Sequence, residues 1–146
     1  MITFPKIGQF RNAVKAVREH SCFKGLDASG APIIDRSAMN PTLRFEGTVK
    51  LHGTNAAVAV HADGRVHCQS RSRVISPESD NKGFARFVEE RLTHAWVRQR
   101  VIELFGPPDP VITVFGEWCG SGIQSGVALN QVPKMFVVFA VLLGED

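Results

Sequence analysis

Lys50 stands in the stretch Val49-Lys50-Leu51-His52-Gly53-Thr54-Asn55, at the junction of two apolar, strand-like runs. A cation there is unusual. Held against apolar walls, a lysine loses hydration, and desolvation favours its neutral amine over the ammonium. A neutral amine is a nucleophile toward a carbonyl or a phosphorus. Gly53 directly after His52 suggests a tight turn at which backbone can approach a ligand closely. The bland reading is a surface lysine at the end of a strand.

Two further groups could do chemistry. Glu117 ends the apolar run VITVFGEW and is followed at once by the glycine-rich GSGIQSG at 120–126. Arg71 and Arg73 alternate with serines in CQSRSR at 68–73. Two arginines two residues apart on a strand share one face, as a paired grip on phosphate would require. They equally suit a solvated edge strand guarded by charge. The glycine loop is out of register with a dinucleotide fingerprint, and VALNQVPK after it runs into Pro133 rather than a long helix. No P-loop motif occurs. The three cysteines, Cys22, Cys68 and Cys119, have no C-x-x-C spacing, so neither a disulfide framework nor a zinc site is expected. No metal ligand is identified.

These residues need elements to position them. Phe10, Ala13, Val14 and Val17 follow helical spacing, so 8–20 reads as an amphipathic helix. Residues 25–41 read as loop, 43–51 and 55–61 as strands, and Asp63-Gly64 as a hairpin turn into a strand at 66–72. A loop at 73–82 leads to a long helix over 82–104, marked by Phe84, Phe87, Val88, Leu92 and Ala95 and stopped by GPPDP at 106–110. Strands at 111–118 and 135–143 close the chain. Hairpin strands with one long helix, rather than regular βαβ alternation, predict an α+β domain of largely antiparallel sheet with flanking helices.

The 146 residues, 44% hydrophobic and 21% charged, suit one globular domain. A formal charge of +3 permits an anionic partner without demanding one. The start, MITFPKIGQF, has no secretory apolar region, and the longest apolar run, MFVVFAVLL, is too short to span a bilayer. The chain therefore reads as soluble, cytoplasmic and without a membrane partner.

In this order the parts resemble the covalent nucleotidyltransferases, most closely RNA ligases of the phage RNA ligase 2 type. The carriers are Lys50-Leu51-His52-Gly53-Thr54-Asn55, Cys68-Gln69-Ser70-Arg71, Phe115-Gly116-Glu117-Trp118-Cys119-Gly120-Ser121-Gly122-Ile123-Gln124, and Phe136-Val137-Val138-Phe139, spread over about residues 43–143. The resemblance implies a nucleotidyltransferase, ATP-grasp-like fold and an ATP-dependent RNA ligase. It implies ATP and Mg²⁺ (or Mn²⁺) as cofactors and broken or nicked RNA ends as partners. Lys50 would be the nucleophile that becomes lysyl-AMP, with His52 and Glu117 as further catalytic groups. Val49, Lys50, Leu51, Asn55, Arg71, Glu117 and Phe139 would meet the nucleotide, Glu117 at the ribose and Phe139 stacked on adenine. Asn55, Arg71 and Arg73 would meet the RNA. Val49 stands where these ligases often carry glutamate, and Ala140 where they commonly carry an acid.

The family's later metal-binding glutamate and K-x-K pair have no counterpart here; the only lysines after Lys50 are Lys82 and Lys134. The resemblance thus implies that residues 1–146 are the N-terminal part of an adenylyltransferase domain. Adenylylation by this chain is then expected to be slow or absent. Unpaired sheet edges would favour self-association. A noncatalytic module binding nucleotide or RNA ends is the alternative. DNA ligase and mRNA-capping relatives rank lower, because an acidic residue is expected where His52 stands.

Overall fold

The computed structural model describes residues 1–6 and 8–145. Two compact units form, one from Lys6–Val49 and one from Met1–Pro5 with Lys50–Asp146.

The smaller unit holds helix α1 (Phe10–Cys22) and a hairpin of β1 (Phe23–Leu26) with β2 (Pro32–Ile34). The helix follows the predicted spacing, shifted by two residues at each end. Its apolar stripe is nevertheless open: Phe10 and Val14 are exposed, and only Cys22 is buried. The hairpin corrects the loop expected over 25–41. Asp27 closes it, its Oδ1 accepting the backbone N–H groups of Ser29 at 2.8 Å and Ala31 at 3.0 Å. Those bonds hold the Asp27 carboxyl below its ordinary range, with the Ser29 hydroxyl the leading donor. A side-chain-closed turn lets a Gly/Ser/Asp-rich segment pair with itself.

The larger unit is a five-stranded antiparallel sheet with helices on one face. Its strands are β3 (Thr54–His61), β4 (Val66–Ser70), β5 (Val74–Ile75), β6 (Val111–Cys119) and β7 (Met135–Leu143), in the order β5-β4-β3-β6-β7. The architecture is the α+β class with antiparallel sheets that the sequence predicts. Ala56, Val58, Val60, Cys68, Ile112 and Trp118 face the helices and pack with Phe84, Val88, Val97 and Val101. The alternate face carries Asn55, Ala57, Gln69, Thr113, Phe115 and Glu117. There Phe4 meets Phe115 edge-on at 4.8 Å, and the Gln69 side chain pairs with both backbone groups of Ile2, at 2.9 and 2.6 Å.

Three expectations are corrected. No strand forms over 43–51; Leu43, Phe45 and Val49 are exposed, and β3 begins only at Thr54. Both sides of β3 are already taken by β4 and β6, so the run at 43–51 cannot pair with the strand that follows it. The strand expected over 66–72 stops at Ser70 and turns back. Ser70 Oγ accepts the N–H of Arg73 at 3.2 Å, and Ser70 N–H reaches the Arg73 carbonyl at 2.8 Å, so Arg71 and Ser72 form the tip of a β4–β5 hairpin. Arg71 and Arg73 therefore do not share a strand face. The single helix expected over 82–104 is interrupted: α2 (Phe84–Phe87) runs into a π-helical turn (Val88–Leu92), and α3 (His94–Phe105) restarts. Thr93 makes the break. It has φ 59°, and its hydroxyl accepts the Trp96 N–H at 3.2 Å, capping α3.

Among the described residues no helix is long and apolar enough to cross a membrane.

Candidate active site

The strands fix the relation between the two motif-bearing segments. In the β3–β6 ladder Asn55 lies directly opposite Glu117. Glu117 Oε2 accepts the Asn55 side-chain amide at 3.1 Å, and Oε1 accepts the Gly53 N–H at 2.8 Å. The Gln124 amide donates to the Gly53 carbonyl at 2.8 Å. Both backbone groups of Gly53 are thus held by side chains from β6 and the loop after it. A Cβ at Gly53 would lie 2.7 Å from that of Cys119 and run into the Trp118 carbonyl. Only glycine lets the chain lie this close to β6.

The segment is anchored from a second side. Asn81 donates to Thr54 Oγ1 at 3.1 Å, and the Trp118 indole donates to the Lys82 carbonyl at 3.1 Å. Asp80 supports that loop, its carboxylate accepting the N–H groups of Ala85 at 2.9 Å and Arg86 at 3.0 Å. Gln124 and Asn81 are positioning groups that sequence reading missed. Gln124 ends the Phe115–Gln124 motif, and nothing in spacing alone pairs it with a glycine 71 positions away.

Lys50 and His52 are exposed, and Leu51 is half-buried. The apolar enclosure anticipated around Lys50 is not built by the described residues. Its place is still constrained: only Leu51 and His52 separate it from the clamped Gly53, three Cα–Cα steps that reach at most about 11 Å. Val49 is 87% exposed.

Arg71 is exposed at its hairpin tip. Arg73 is engaged within the fold, donating to the Ser79 carbonyl and hydroxyl, both at 2.7 Å, and to the Asp80 carbonyl at 2.9 Å. Phe139 is 47% exposed and outside the core. It is the extra residue of a β-bulge, since Phe115 pairs with Ala140 but Gly116 with Val138. A bulge re-aims a side chain and recurs beside functional sites. Val137, two residues before it, lies opposite Glu117. The sheet therefore brings Asn55 and Glu117 into contact and sets Phe139 on the adjoining strand.

The cysteines are free and buried. Burial, helped by Asp80 and Glu89, pushes the Cys68 thiol up to about 12. Burial likewise raises that of Cys119, with Glu117 adding to it. Neither is a poised nucleophile. No group of three His, Cys, Asp or Glu able to hold a metal ion is found among the described residues.

The clamp joins the lysine segment to the F-G-E segment, the two stretches whose order marks the resemblance. A family model for RNA ligases matches residues 43–146. The chain belongs to the RNA ligase family. No curated protein matches it. As an RNA ligase family domain, it carries Lys50, Asn55, Arg71, Glu117 and Phe139 on the larger unit.

Proposed function

We propose that this chain is the N-terminal part of an ATP-dependent RNA ligase adenylation domain of the phage RNA ligase 2 type, acting in the cytoplasm. The Lys50 amine attacks the α-phosphorus of ATP. A nitrogen–phosphorus bond forms, the bond to the bridging oxygen breaks, and pyrophosphate leaves with that electron pair. The attacking neutral amine releases one proton to solvent and keeps one N–H in the phosphoramidate. An RNA 5′-phosphate oxygen then takes the AMP from Lys50, and a 3′-hydroxyl displaces AMP to form the phosphodiester.

The observation that supports this reading most is the double grip of Glu117 on Gly53 and Asn55. It ties the lysine-bearing segment rigidly to β6, the preorganisation that in-line attack on phosphorus requires. Glu117 uses one direction of each oxygen in that grip and keeps lone pairs for a ribose hydroxyl. Phe139, half-exposed at the bulge, is available to stack on a purine. Arg71 and Asn55 are proposed at the RNA, with Arg73 holding the loop behind the Arg71 turn. His52 is proposed at the phosphates, and Val49 and Leu51 against the nucleotide. The described carboxylates do not form a magnesium cradle, so the divalent ion is assigned to the substrate, arriving on the triphosphate oxygens.

Incubation with α-labelled ATP and Mg²⁺ tests this. A covalent label is expected on the chain and none on Lys50→Ala; equal labelling of that variant would remove Lys50 as nucleophile. The exposure of Lys50 favours one second reading, a noncatalytic module that binds nucleotide or RNA ends. Saturable ATP or RNA binding without any adduct would support it.

A further inference from the structure

The two edges of the sheet differ. β5 is two residues long, whereas β7 is nine and pairs only with β6 among the described residues. Long edges are usually blunted by an internal charge, a proline or a bulge. Residues 135–143 have no charge and no proline, and the bulge at Phe139 is their one interruption. The charges stand at the ends instead: Lys134 and Glu145 are exposed, and neither takes part in an ion pair among the described residues.

The bulge determines which backbone groups face outward. Gly144 N–H donates to the Val111 carbonyl at 2.8 Å, so by ladder alternation Leu143 and Val141 direct their N–H and C=O away from β6. Phe139 is the inserted residue, and the parity switches across it. On its other side Val138 and Phe136 present their groups outward. An antiparallel partner with the same sequence can satisfy all four only if Phe136 meets the second copy's Leu143 and Val138 meets its Val141. Lys134 and Glu145 flank β7, Glu145 beyond a bend at Gly144 (φ 93°), so each basic end lies toward the other copy's acidic end. These four side chains also belong to one face of the sheet, since their β6 partners are Trp118, Gly116, Val114 and Ile112. Backbone parity and side-chain face thus select the same alignment.

We propose that two copies of this chain pair edge to edge through β7, about a two-fold axis at Phe139 and Ala140, joining their sheets into one. Each bulge faces the other copy's bulge, so the two inserted residues match. Val138 and Leu143, now 51% and 62% exposed, are covered by the partner strand. The contact is isologous and independent of the assignment of Lys50.

Sedimentation analysis at roughly 100 μM, suited to a modest interface, should find a dimer. Val138→Lys, at an exposed position, should be monomeric there with an unchanged circular dichroism spectrum. A monomeric parent chain, or a Val138→Lys protein still dimeric, would overturn the proposal. The register has its own test. Opposed ladder positions are about 5.5 Å apart, within disulfide reach. Under oxidation, Val138→Cys mixed with Val141→Cys should yield a covalent dimer, and neither variant alone should; the native thiols are buried. No cross-link in the mixture, or cross-linking of either variant with itself, refutes the alignment.

Discussion

Asn55 and Glu117, 62 residues apart in sequence, face each other across β3 and β6 with their side chains 3.1 Å apart. The same carboxylate holds the Gly53 N–H. The geometry of the lysine segment therefore depends on Glu117 whether or not a nucleotide is present.

Glu117→Ala leaves both donors without their partner. An unsatisfied buried donor costs about 1–3 kcal/mol, and these groups are part-buried, so the loss should lie near the lower end. Chemical denaturation should show it. Glu117→Gln, which keeps an acceptor for Gly53, should lose less.

Gly53→Ala should destabilise the chain by about 1–3 kcal/mol, the usual cost of forcing a methyl into a filled space. The added carbon meets backbone at Trp118 and cannot be relieved by a rotamer change. A denaturation midpoint equal to that of the parent would contradict this close approach.

The two arginines should separate by role. Arg73→Ala removes three hydrogen bonds to Ser79 and Asp80 and should cost about 0.5–1.5 kcal/mol of stability. Arg71→Ala should change stability by less than about 0.5 kcal/mol. It should weaken RNA binding and lower the salt slope by about one. The opposite pattern would exchange the two assignments.

Stability should fall in alkaline solution. Folded Cys68 keeps its proton up to about 12, because burial, then Asp80 and Glu89, disfavour the thiolate. In the unfolded chain a thiol ionises near about 8.5. The unfolded state then binds fewer protons, so this contribution is complete below about pH 8.5 and is lost as pH rises from there toward the folded value. Between pH 8 and 10 the loss should be about 2 kcal/mol. In Cys68→Ala, the drop measured over that interval should be smaller by this amount.

The parts of the fold legible in the sequence rest on local chemistry. Asp63-Gly64 marked the β3–β4 hairpin because the turn needs what glycine supplies, φ 87° at Gly64. The apolar runs of β6 and β7 announced themselves by length. The helix break was hidden because apolar spacing continues past Thr93, while the cap depends on one hydroxyl and a positive φ. Residues 43–51 alternate like a strand, but alternation carries no information about whether a partner exists. At the site, residue types were readable from the motifs. The contacts among Gly53, Asn55, Glu117 and Gln124 were not, because the β3–β6 register creates them.

The most direct measurement is peptide mapping after incubation with ATP labelled at either the α- or the γ-phosphate. The account predicts slow label from the α-phosphate on the peptide containing Lys50, none from the γ-phosphate, and none on Lys50→Ala. Label on another residue, or γ-label retained on the protein, would contradict it.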